Sequence, residues 1–327
     1  MQALRVECST TPADLQRWDH FVLGHPFGSV FHRPQWLQHT SSWPVQVLLA
    51  YHHHTLVGGF AFVLNARPPL RRVMPPVLTS RFAPLVSPSL APEQRLAVYE
   101  GLLKALPAHD LIHLSTQDAL SSGDLETVMQ HPRHNETPTH LKAPLGDESA
   151  LIASYSTQIR RQITKAQEAG AQPIPEADPM QAYTLFSGAY AIRGQQPRFT
   201  QTWFSQHLDQ LRVEGMASLP GVLDASGRLV GALLLAVDPK TVYYMVSGID
   251  REALGGNAGA MLVHTALNYA SSSGKSFDFN GSSIPGINTF FEKFQGEPAK
   301  VIHLKKANTT RGSLAMHVAT LFKKPII

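Results

Sequence analysis

The sequence has little of several features that would reveal a protein's class at once. Cys8 is the one cysteine among 327 residues, which excludes a disulfide framework and a cysteine-ligated zinc site and fits a reducing compartment. No stretch approaches the roughly 20 apolar residues that span a bilayer, and the N-terminus lacks the apolar core of a signal peptide. We therefore expect a cytoplasmic protein without a transmembrane segment.

Other missing patterns exclude further classes. There is no G-x-S-x-G segment of a serine hydrolase, and no RRM, KH or zinc pattern that would indicate nucleic-acid recognition by itself, so we expect no DNA partner. The 16 histidines include a run at a predicted hairpin turn, His52 to His54, for which no further metal ligands can be named, so no metal is expected. Charged residues make up 16% and apolar residues 43% of the chain, which predicts a globular fold.

The predicted elements occur in the same order twice. Each half has helices, then a mostly antiparallel meander, then a strand, helix and strand crossover. The polar, proline-rich segment from Pro132 to Gly146 reads as the connector between the halves. We therefore predict two α/β domains, 1–135 and 147–327, each with a mixed, mostly antiparallel twisted sheet flanked by helices.

A glycine-rich segment, "GGNAGA", begins at Gly255 and leads into an apolar helix expected to start near Ala258. A helix N-terminus presents unpaired backbone N–H groups and a positive dipole end, so small residues there let a phosphate approach closely. Alternatively, the glycines only form a turn that lets the helix pack on the sheet. The segment is not a phosphate loop of the G-x-x-x-x-G-K-[ST] type, because no lysine follows Gly259.

The strand "SFDFNGSS" near residue 280 carries polar side chains among apolar ones. Asp278 and Asn280 alternate with phenylalanines, which predicts one core face and one face toward a cleft. Asp278 is the best candidate base, because burial of a lone carboxylate raises its pKa. Tyr243 or Tyr244, on the strand before the glycine loop, can supply an acid. A capping role for Asp278 and Ser283 at the turn is the structural alternative.

A basic helix precedes these motifs in the second half. Arg161 and Lys165 lie four residues apart and share one helix face, which makes a two-cation patch able to hold an anion, whereas Arg160 points about a quarter turn away. A solvated basic face without a ligand is the alternative.

The order of these motifs resembles the GCN5-related (GNAT) acyltransferase fold, and most closely its tandem-domain branch, which includes the Fem-type peptidoglycan-bridge aminoacyltransferases. The similar segments are "GSVFHRPQWLQ", "YSTQIRRQITKAQEAGAQ", "LVGALLLAVDPKTVYYMVSGID", "GGNAGA" and "FDFNGSS" followed by Phe-x-x-Phe-x-Gly. Together they span residues 20 to 305, and each is short and degenerate, so their order carries the resemblance.

The resemblance implies two GNAT-like domains and an acyl group carried by coenzyme A or by aminoacyl-tRNA. The residues implied to meet the donor's phosphate are Gly255, Gly256, Asn257, Ala258 and Gly259. Arg160, Arg161 and Lys165 match the basic helix that faces acceptor phosphates. Phe291 stands where Fem-type enzymes have a lysine that handles negative charge, a departure that disfavours the use of tRNA. The nearest cation is Lys293, which we expect to bind the substrate together with Arg160, Arg161 and Lys165. We expect Asp278, Tyr244 and Asn280 to act in catalysis.

The expected function is an N-acyltransferase that moves an acyl group from acyl-CoA, such as acetyl-CoA, to an amine on a small molecule or a cell-envelope precursor. The alternatives are a Fem-type transferase that uses aminoacyl-tRNA and acts on a cell-wall precursor, and a non-catalytic binding protein that retains the fold. A C-terminal amphipathic helix ending in Lys323 and Lys324 either docks on the second domain or touches a membrane surface weakly.

Overall fold

The computed structural model describes residues 4–282 and 284–321. The chain forms two compact units, Met1–Thr137 together with Val301–Ile327, and Pro138–Lys300, referred to below as unit one and unit two. The domain limits predicted from the sequence remain a prediction, and this grouping differs from them at the C-terminal end. There the chain returns to unit one, because its last strand pairs with a strand of that unit.

The secondary structure alternates between short helices and strands along both halves. The strands are β1 (Arg5–Ser9), β2 (Val45–His52), β3 (Thr55–Asn65), β4 (Arg72–Val73), β5 (Leu85–Val86), β6 (Leu111–Thr116), β7 (Arg133–Lys142), β8 (Gln172–Ile174), β9 (Ala217–Ser218), β10 (Gly221–Leu223), β11 (Leu229–Val237), β12 (Thr241–Ile249), β13 (Ser276–Asp278) and β14 (Glu297–Ala307). The α-helices are α1 (Pro12–Gly24), α2 (Pro34–Thr40), α3 (Pro92–Ala105), α4 (Ala119–Met129), α5 (Glu148–Ala153), α6 (Thr157–Glu168), α7 (Pro179–Ala191), α8 (Gln201–Val213), α9 (Ala258–Ser272), α10 (Pro285–Glu292) and α11 (Thr310–Leu321).

Unit one is built on a mostly antiparallel sheet. Its strands are ordered β1, β2, β3, β4, β6 and β14, and β5 pairs with β3 beside this path. Every pairing in this order is antiparallel except that of β4 with β6, which are joined through α3. Trp18 of α1 and Trp36 of α2 are fully buried, as are Phe60 and Phe62 of β3. These large side chains make the core of unit one.

Unit two repeats this plan. Its strands are ordered β7, β13, β12, β11, β10 and β8, with β9 on β11. Again one pairing is parallel, that of β12 with β13, and α9 makes the crossover between them. The nine residues of β11 are all buried, as expected for a central strand covered on both faces. The predicted duplication of an α/β domain with a mixed, mostly antiparallel sheet is therefore confirmed.

The segment interpreted as a connector is largely a strand. Residues 133–142 form β7, and Leu141 and Lys142 of this strand pair antiparallel with Asp278 and Phe277 of β13. The polar sequence did not indicate a strand, because most residues in the first half of β7 are exposed and the sequence there does not alternate between apolar and polar residues. The correction matters for the site, since β7 covers one side of the strand that carries Asp278.

In the described residues no helix is long and apolar enough to cross a membrane. The predicted C-terminal helix is present as α11. Lys323 and Lys324, which were expected to end it, lie outside the described residues.

Candidate functional site

Two neighbouring strands of unit two separate at the predicted site. The parallel strands β12 and β13 pair only from Thr241 to Tyr243 with Ser276 to Asp278. The chain then leaves the sheet through Asn280 and Gly281, which have φ angles of 58° and 68°. In the described part of the chain, no other strand pairs with this side of β12 beyond Tyr243. The rest of β12 therefore presents an open strand edge, whose N–H groups can polarise a carbonyl.

A β-bulge lies at the start of this open edge. Leu234 of β11 faces Val246, whereas the next residue, Leu235, faces Tyr244, so Met245 is the extra residue of β12. Bulges bend a strand and often lie beside functional sites. The amide Nδ2 of Asn280 lies 3.4 Å from the Met245 sulfur. Asn280, one of the predicted catalytic residues, is thereby held against the bulge.

Tyr244 is half-buried beside the bulge. Its hydroxyl donates to the Ser247 hydroxyl at 2.5 Å, and its ring packs edge-on against Phe291 with centroids 5.0 Å apart. Burial raises the pKa of Tyr244 to about 12, so its phenol keeps its proton at neutral pH. Such a group can donate a proton. The neighbouring Tyr243 is buried and donates to Asp238 at 2.9 Å, which makes it the structural member of the pair.

Asp278 is fully enclosed, which differs from the cleft-facing position expected from strand alternation. One oxygen of its carboxylate accepts hydrogen bonds from the Thr139 hydroxyl at 2.8 Å and from the backbone N–H of Asn280 at 2.7 Å. Both faces of β13 are buried, because Phe277 and Phe279 pack in the core and β7 places Thr139 against the carboxylate. These bonds fix the turn at Asn280, in line with the capping role considered for Asp278, whereas Ser283, considered for the same role, lies outside the described residues.

The glycine-rich segment forms a tight turn with left-handed backbone. Leu254, Gly255 and Gly256 have φ angles of 52°, 61° and 79°, respectively. The Asn257 side chain donates to the carbonyl oxygens of Leu254 at 2.9 Å and Gly255 at 3.1 Å, and so holds the turn closed on α9. Gly255 and Gly256 are exposed, and a Cβ atom at either position would meet no atom closer than 3.5 Å.

The next two predicted loop residues, Ala258 and Gly259, belong to α9 itself. Ala258 is buried, and a Cβ atom at Gly259 would lie 3.3 Å from Ile249 and 3.9 Å from Phe290. Close packing of helix on sheet therefore explains these two positions. The glycine-rich segment thus divides into an open turn and a packed helix start.

A groove of about 340 Å³ joins the turn to the basic helix α6. It is lined by Thr157, Gln158, Arg161, Gln162, Lys165 and Asn257. Helix α6 begins at the N-cap Ser156 and buries Ile159 and Ile163 against the core, which turns Arg161 and Lys165 outward. The structure thus brings together two predicted groups that are about 90 positions apart in the sequence. Two cations and several amides face one space, a set that suits a phosphate.

The remaining predicted cations lie elsewhere. Arg160 is not among the residues that line the groove, and its guanidinium donates to the Thr157 hydroxyl at 3.1 Å. Lys293 is half-buried at the end of α10. Its carbonyl oxygen accepts a hydrogen bond from the backbone N–H of Ser156 at 3.0 Å, so its observed contact supports the start of α6.

Sequence reasoning missed Lys142 of β7. This lysine is buried, and its ammonium donates to the carbonyl oxygens of Phe294 at 3.0 Å and Gln295 at 3.1 Å, just after α10. It also lies 5.6 Å from the centroid of the Tyr155 ring. Burial lowers the pKa of Lys142. No sequence pattern indicated it, because it lies in the segment interpreted as a connector.

A hydrogen-bonded chain of three side chains was also missed. The Tyr155 hydroxyl lies 3.3 Å from Nδ1 of the buried His264, whose Nε2 lies 3.0 Å from a Glu148 carboxylate oxygen. Burial lowers the pKa of His264. The chain ties α5 to α9. In the described residues no group of three or more histidine, cysteine or acidic side chains is arranged to hold a metal ion.

Comparisons with known proteins agree with this geometry. Residues 153–288 match a family model described as an acetyltransferase (GNAT) domain. This range contains the groove, the glycine turn, the bulged strand and β13. No curated protein matches the chain.

Solved structures match over nearly the whole chain. FemX has a TM-score of 0.72 and 14% identity, covering 97% of this chain and 100% of that one. A tandem GNAT protein from the clavulanic acid biosynthesis pathway has a TM-score of 0.58 and 14% identity, covering 93% and 98%. L-PGS from Bacillus licheniformis has a TM-score of 0.58 and 10% identity, covering 97% and 98%.

Identities this low show a shared fold and nothing more. The chain therefore has the tandem GNAT fold, which it shares with FemX and with the tandem GNAT protein of the clavulanic acid pathway, and residues 153–288 in its second half match the GNAT acetyltransferase domain model.

Proposed function

We propose that this protein is an N-acyltransferase that uses acyl-CoA and transfers the acyl group to an amine. The observation that carries the proposal is the groove in which Arg161 and Lys165 meet the glycine turn through Asn257. The phosphates of coenzyme A suit this set, since two cations line one groove together with Asn257, the residue that closes the exposed glycine turn. The GNAT family match over this region supports the same donor.

The proposed chemistry needs few side chains. The acyl carbonyl lies against the open edge of β12, where backbone N–H groups stabilise the negative charge that develops on its oxygen. The neutral amine attacks the carbonyl carbon, the carbon–sulfur bond breaks, and the leaving thiolate takes a proton from an acid. The nitrogen loses one proton to solvent as the amide forms, and solvent returns a proton to the acid. Tyr244 is the proposed donor of that proton, because its pKa of about 12 keeps the phenol protonated. Asn280 positions the bulge, and Asp278 holds Asn280 through its backbone.

A second candidate uses aminoacyl-tRNA as the donor and a cell-envelope precursor as the acceptor. Its support is the similarity to FemX, which extends over both halves of the chain. The same basic groove would then bind a phosphate of the tRNA or of the acceptor. Arg160 and Lys293 belong to this candidate as outlying cations for a larger anionic ligand.

Thermal unfolding with different donors separates these candidates. The purified protein is heated with acetyl-CoA, longer acyl-CoAs, free CoA or bulk aminoacyl-tRNA, and a ligand that binds the folded state raises the midpoint. We expect stabilisation by CoA compounds. The double variant Arg161→Gln, Lys165→Gln should bind CoA compounds with an affinity lower by about tenfold or more, since charge-assisted contacts are lost.

The choice of variant follows from the geometry. Substitution of Gly256 would strain a backbone with φ of 79°, and Asn257→Asp would lose the two bonds that close the turn, so neither isolates phosphate binding. Arg198→Gln, an exposed charge change on unit two, is the matched control. Stabilisation by aminoacyl-tRNA alone would favour the second candidate. Binding without turnover of any amine would indicate a protein that retains the fold for binding.

A further inference from the structure

A second polar cluster lies in unit one, far along the chain from the groove. His113 and Ser115 belong to β6, and His303 and Lys305 belong to β14. In the antiparallel register Lys305 is opposite His113, and His303 is opposite Ser115. Partners in register project from the same face of a sheet, and so do residues two apart on one strand. The four side chains therefore share one face.

Hydrogen bonds connect the two imidazoles on this face. Nε2 of His113 lies 3.3 Å from Nδ1 of His303, and Nε2 of His303 lies 3.1 Å from the Thr137 hydroxyl of β7. The three side chains therefore form a fixed chain of donors and acceptors. Lys305 is half-buried at one end of it and has no ion-pair partner in the part of the chain that the structure describes.

Ser115 supplies the observation that points to a ligand. Its side chain is 1% exposed, and its Oγ has no hydrogen-bond partner among the described residues. A buried hydroxyl without a partner costs free energy, and such groups are rare in folded proteins. The hydroxyl points to the same face as the imidazoles and Lys305.

The charges that lower the pKa values of the cluster are positive. Burial, Lys305 and the other imidazole lower the pKa of His113 to about 3, and burial, Lys305 and Arg81 lower the pKa of His303 to about 4. Burial and Arg133 lower the pKa of Lys305. The two imidazoles are therefore neutral at neutral pH, and the positive charges beside them are of the sign that an anion would balance.

We propose that the face formed by His113, Ser115, His303 and Lys305 binds a phosphate-like oxyanion. The Lys305 ammonium supplies the charge, the Ser115 hydroxyl donates one hydrogen bond, and an imidazole N–H donates another. Donors that approach from two adjacent strands suit a tetrahedral anion. The site lies within unit one and does not depend on the proposed acyl transfer.

Sulfate is the appropriate probe, because it keeps its charge over the pH range in which histidines titrate. Its binding is measured on the full chain by calorimetry and by the rise in unfolding midpoint, with Arg161→Gln, Lys165→Gln as the background that weakens the groove of unit two. We expect saturable sulfate binding, and we expect Lys305→Gln to lower the affinity by about tenfold or more. Lys104→Gln, an exposed charge change on α3, is the matched control and should bind as the background does. Acetate tests whether a planar carboxylate binds equally well; tighter binding of acetate than of sulfate would overturn the tetrahedral assignment.

Ser115→Ala separates a binding role from a structural one. Without sulfate the variant should be at least as stable as its parent, because it removes a buried unpaired hydroxyl. With sulfate it should show a reduced stabilisation. Binding should also tighten as the pH falls toward the lowered pKa values of the imidazoles, since the anion raises these pKa values and binding takes up protons. The proposal would be overturned if the parent protein did not bind sulfate, or if Lys305→Gln and Ser115→Ala bound sulfate as tightly as the parent does.

Discussion

The burial of His32 should make unit one sensitive to acid. His32 ends a short 3-10 turn, Val30–His32, and is 6% exposed. Its Nδ1 accepts a hydrogen bond from the backbone N–H of Ser29 at 3.3 Å, so the ring is neutral. Its carbonyl oxygen accepts a hydrogen bond from the Trp18 indole at 2.9 Å. Burial, with the charges of His25 and Arg81, lowers the pKa of His32 from 6.5 to about 3.

The sign of the effect follows from the two pKa values. In the unfolded chain His32 takes up a proton near pH 6.5, whereas in the folded protein it does so only near pH 3. The unfolded state therefore binds more protons between these values, and the free energy of unfolding falls as the pH falls through this window. At about 1.4 kcal/mol for each unit of pKa difference, the loss from His32 reaches at most about 5 kcal/mol, a large part of a typical domain's stability.

Urea unfolding followed by tryptophan fluorescence measures this loss. Trp18 and Trp36 are fully buried in unit one, and Trp203 of unit two is replaced by phenylalanine in every protein compared, so that the emission reports on unit one. The comparison is with His32→Asn, whose amide oxygen can replace the Nδ1 acceptor but does not titrate. Between about pH 6 and pH 4, the wild type should lose up to about 1.4 kcal/mol per pH unit more than the variant.

The comparison must separate His32 from the other histidines. His113 and His303 titrate in both proteins, so their contribution cancels in the difference. His53→Asn, at an exposed turn where φ is 57° and asparagine is tolerated, should follow the wild type. Parallel pH profiles for the wild type and His32→Asn would refute the assignment of acid sensitivity to His32.

Three further changes test packing and chemistry in unit two. Gly248→Ala should lower the unfolding free energy measured by urea titration by about 1–3 kcal/mol, because its Cβ would lie 2.2 Å from the Leu185 carbonyl carbon of α7. Gly231→Ala is the control and should cost less, because its Cβ would have no neighbour closer than 3.4 Å. Lys142→Met should cost about 1–3 kcal/mol in that assay, since the buried carbonyl oxygen of Phe294 and the partly buried one of Gln295 lose their donor, and an unchanged midpoint would contradict a supporting role at the end of α10. Tyr244→Phe should leave the melting temperature nearly unchanged but lower kcat by about 100-fold with any amine that proves to be an acceptor, and a variant with full kcat would exclude the phenol as the acid.

Local features of the fold were predictable because they depend on neighbouring residues. Threonine followed by proline is a typical helix start, and the structure has Thr11 as the N-cap and Pro12 as the first helical residue of α1. Glycine commonly follows a helix C-terminus, and Gly170 follows α6 with a φ of 82°. In each case one side chain or one backbone preference decides the local conformation.

The environment of Asp278 was not predictable from its own strand. Alternation with phenylalanines suggested a polar face, but that argument assumes that one face of the sheet is open to solvent. The partner strand β7 comes from a threonine-rich segment about 140 positions earlier, and its Thr139 hydroxyl turns the carboxylate into a buried, hydrogen-bonded group. Only the pairing of distant segments decides whether such a carboxylate is exposed. The same holds for Lys142, which no local pattern distinguishes from a surface lysine.

The two units differ at the strand that precedes the crossover helix and in the segment that joins this strand to the helix. In unit two this strand is β12, nine residues long and bulged at Met245, and it leads through the left-handed turn at Gly255 and Gly256 into α9. In unit one the corresponding strand is β4, with two residues, and a segment containing Pro84 and the strand β5 precede α3. A two-residue strand offers little open edge to hold an acyl group, and proline cannot donate a backbone hydrogen bond. The duplicated topology therefore supports acyl-donor binding in unit two, and it leaves the β6–β14 face of unit one available for a different ligand.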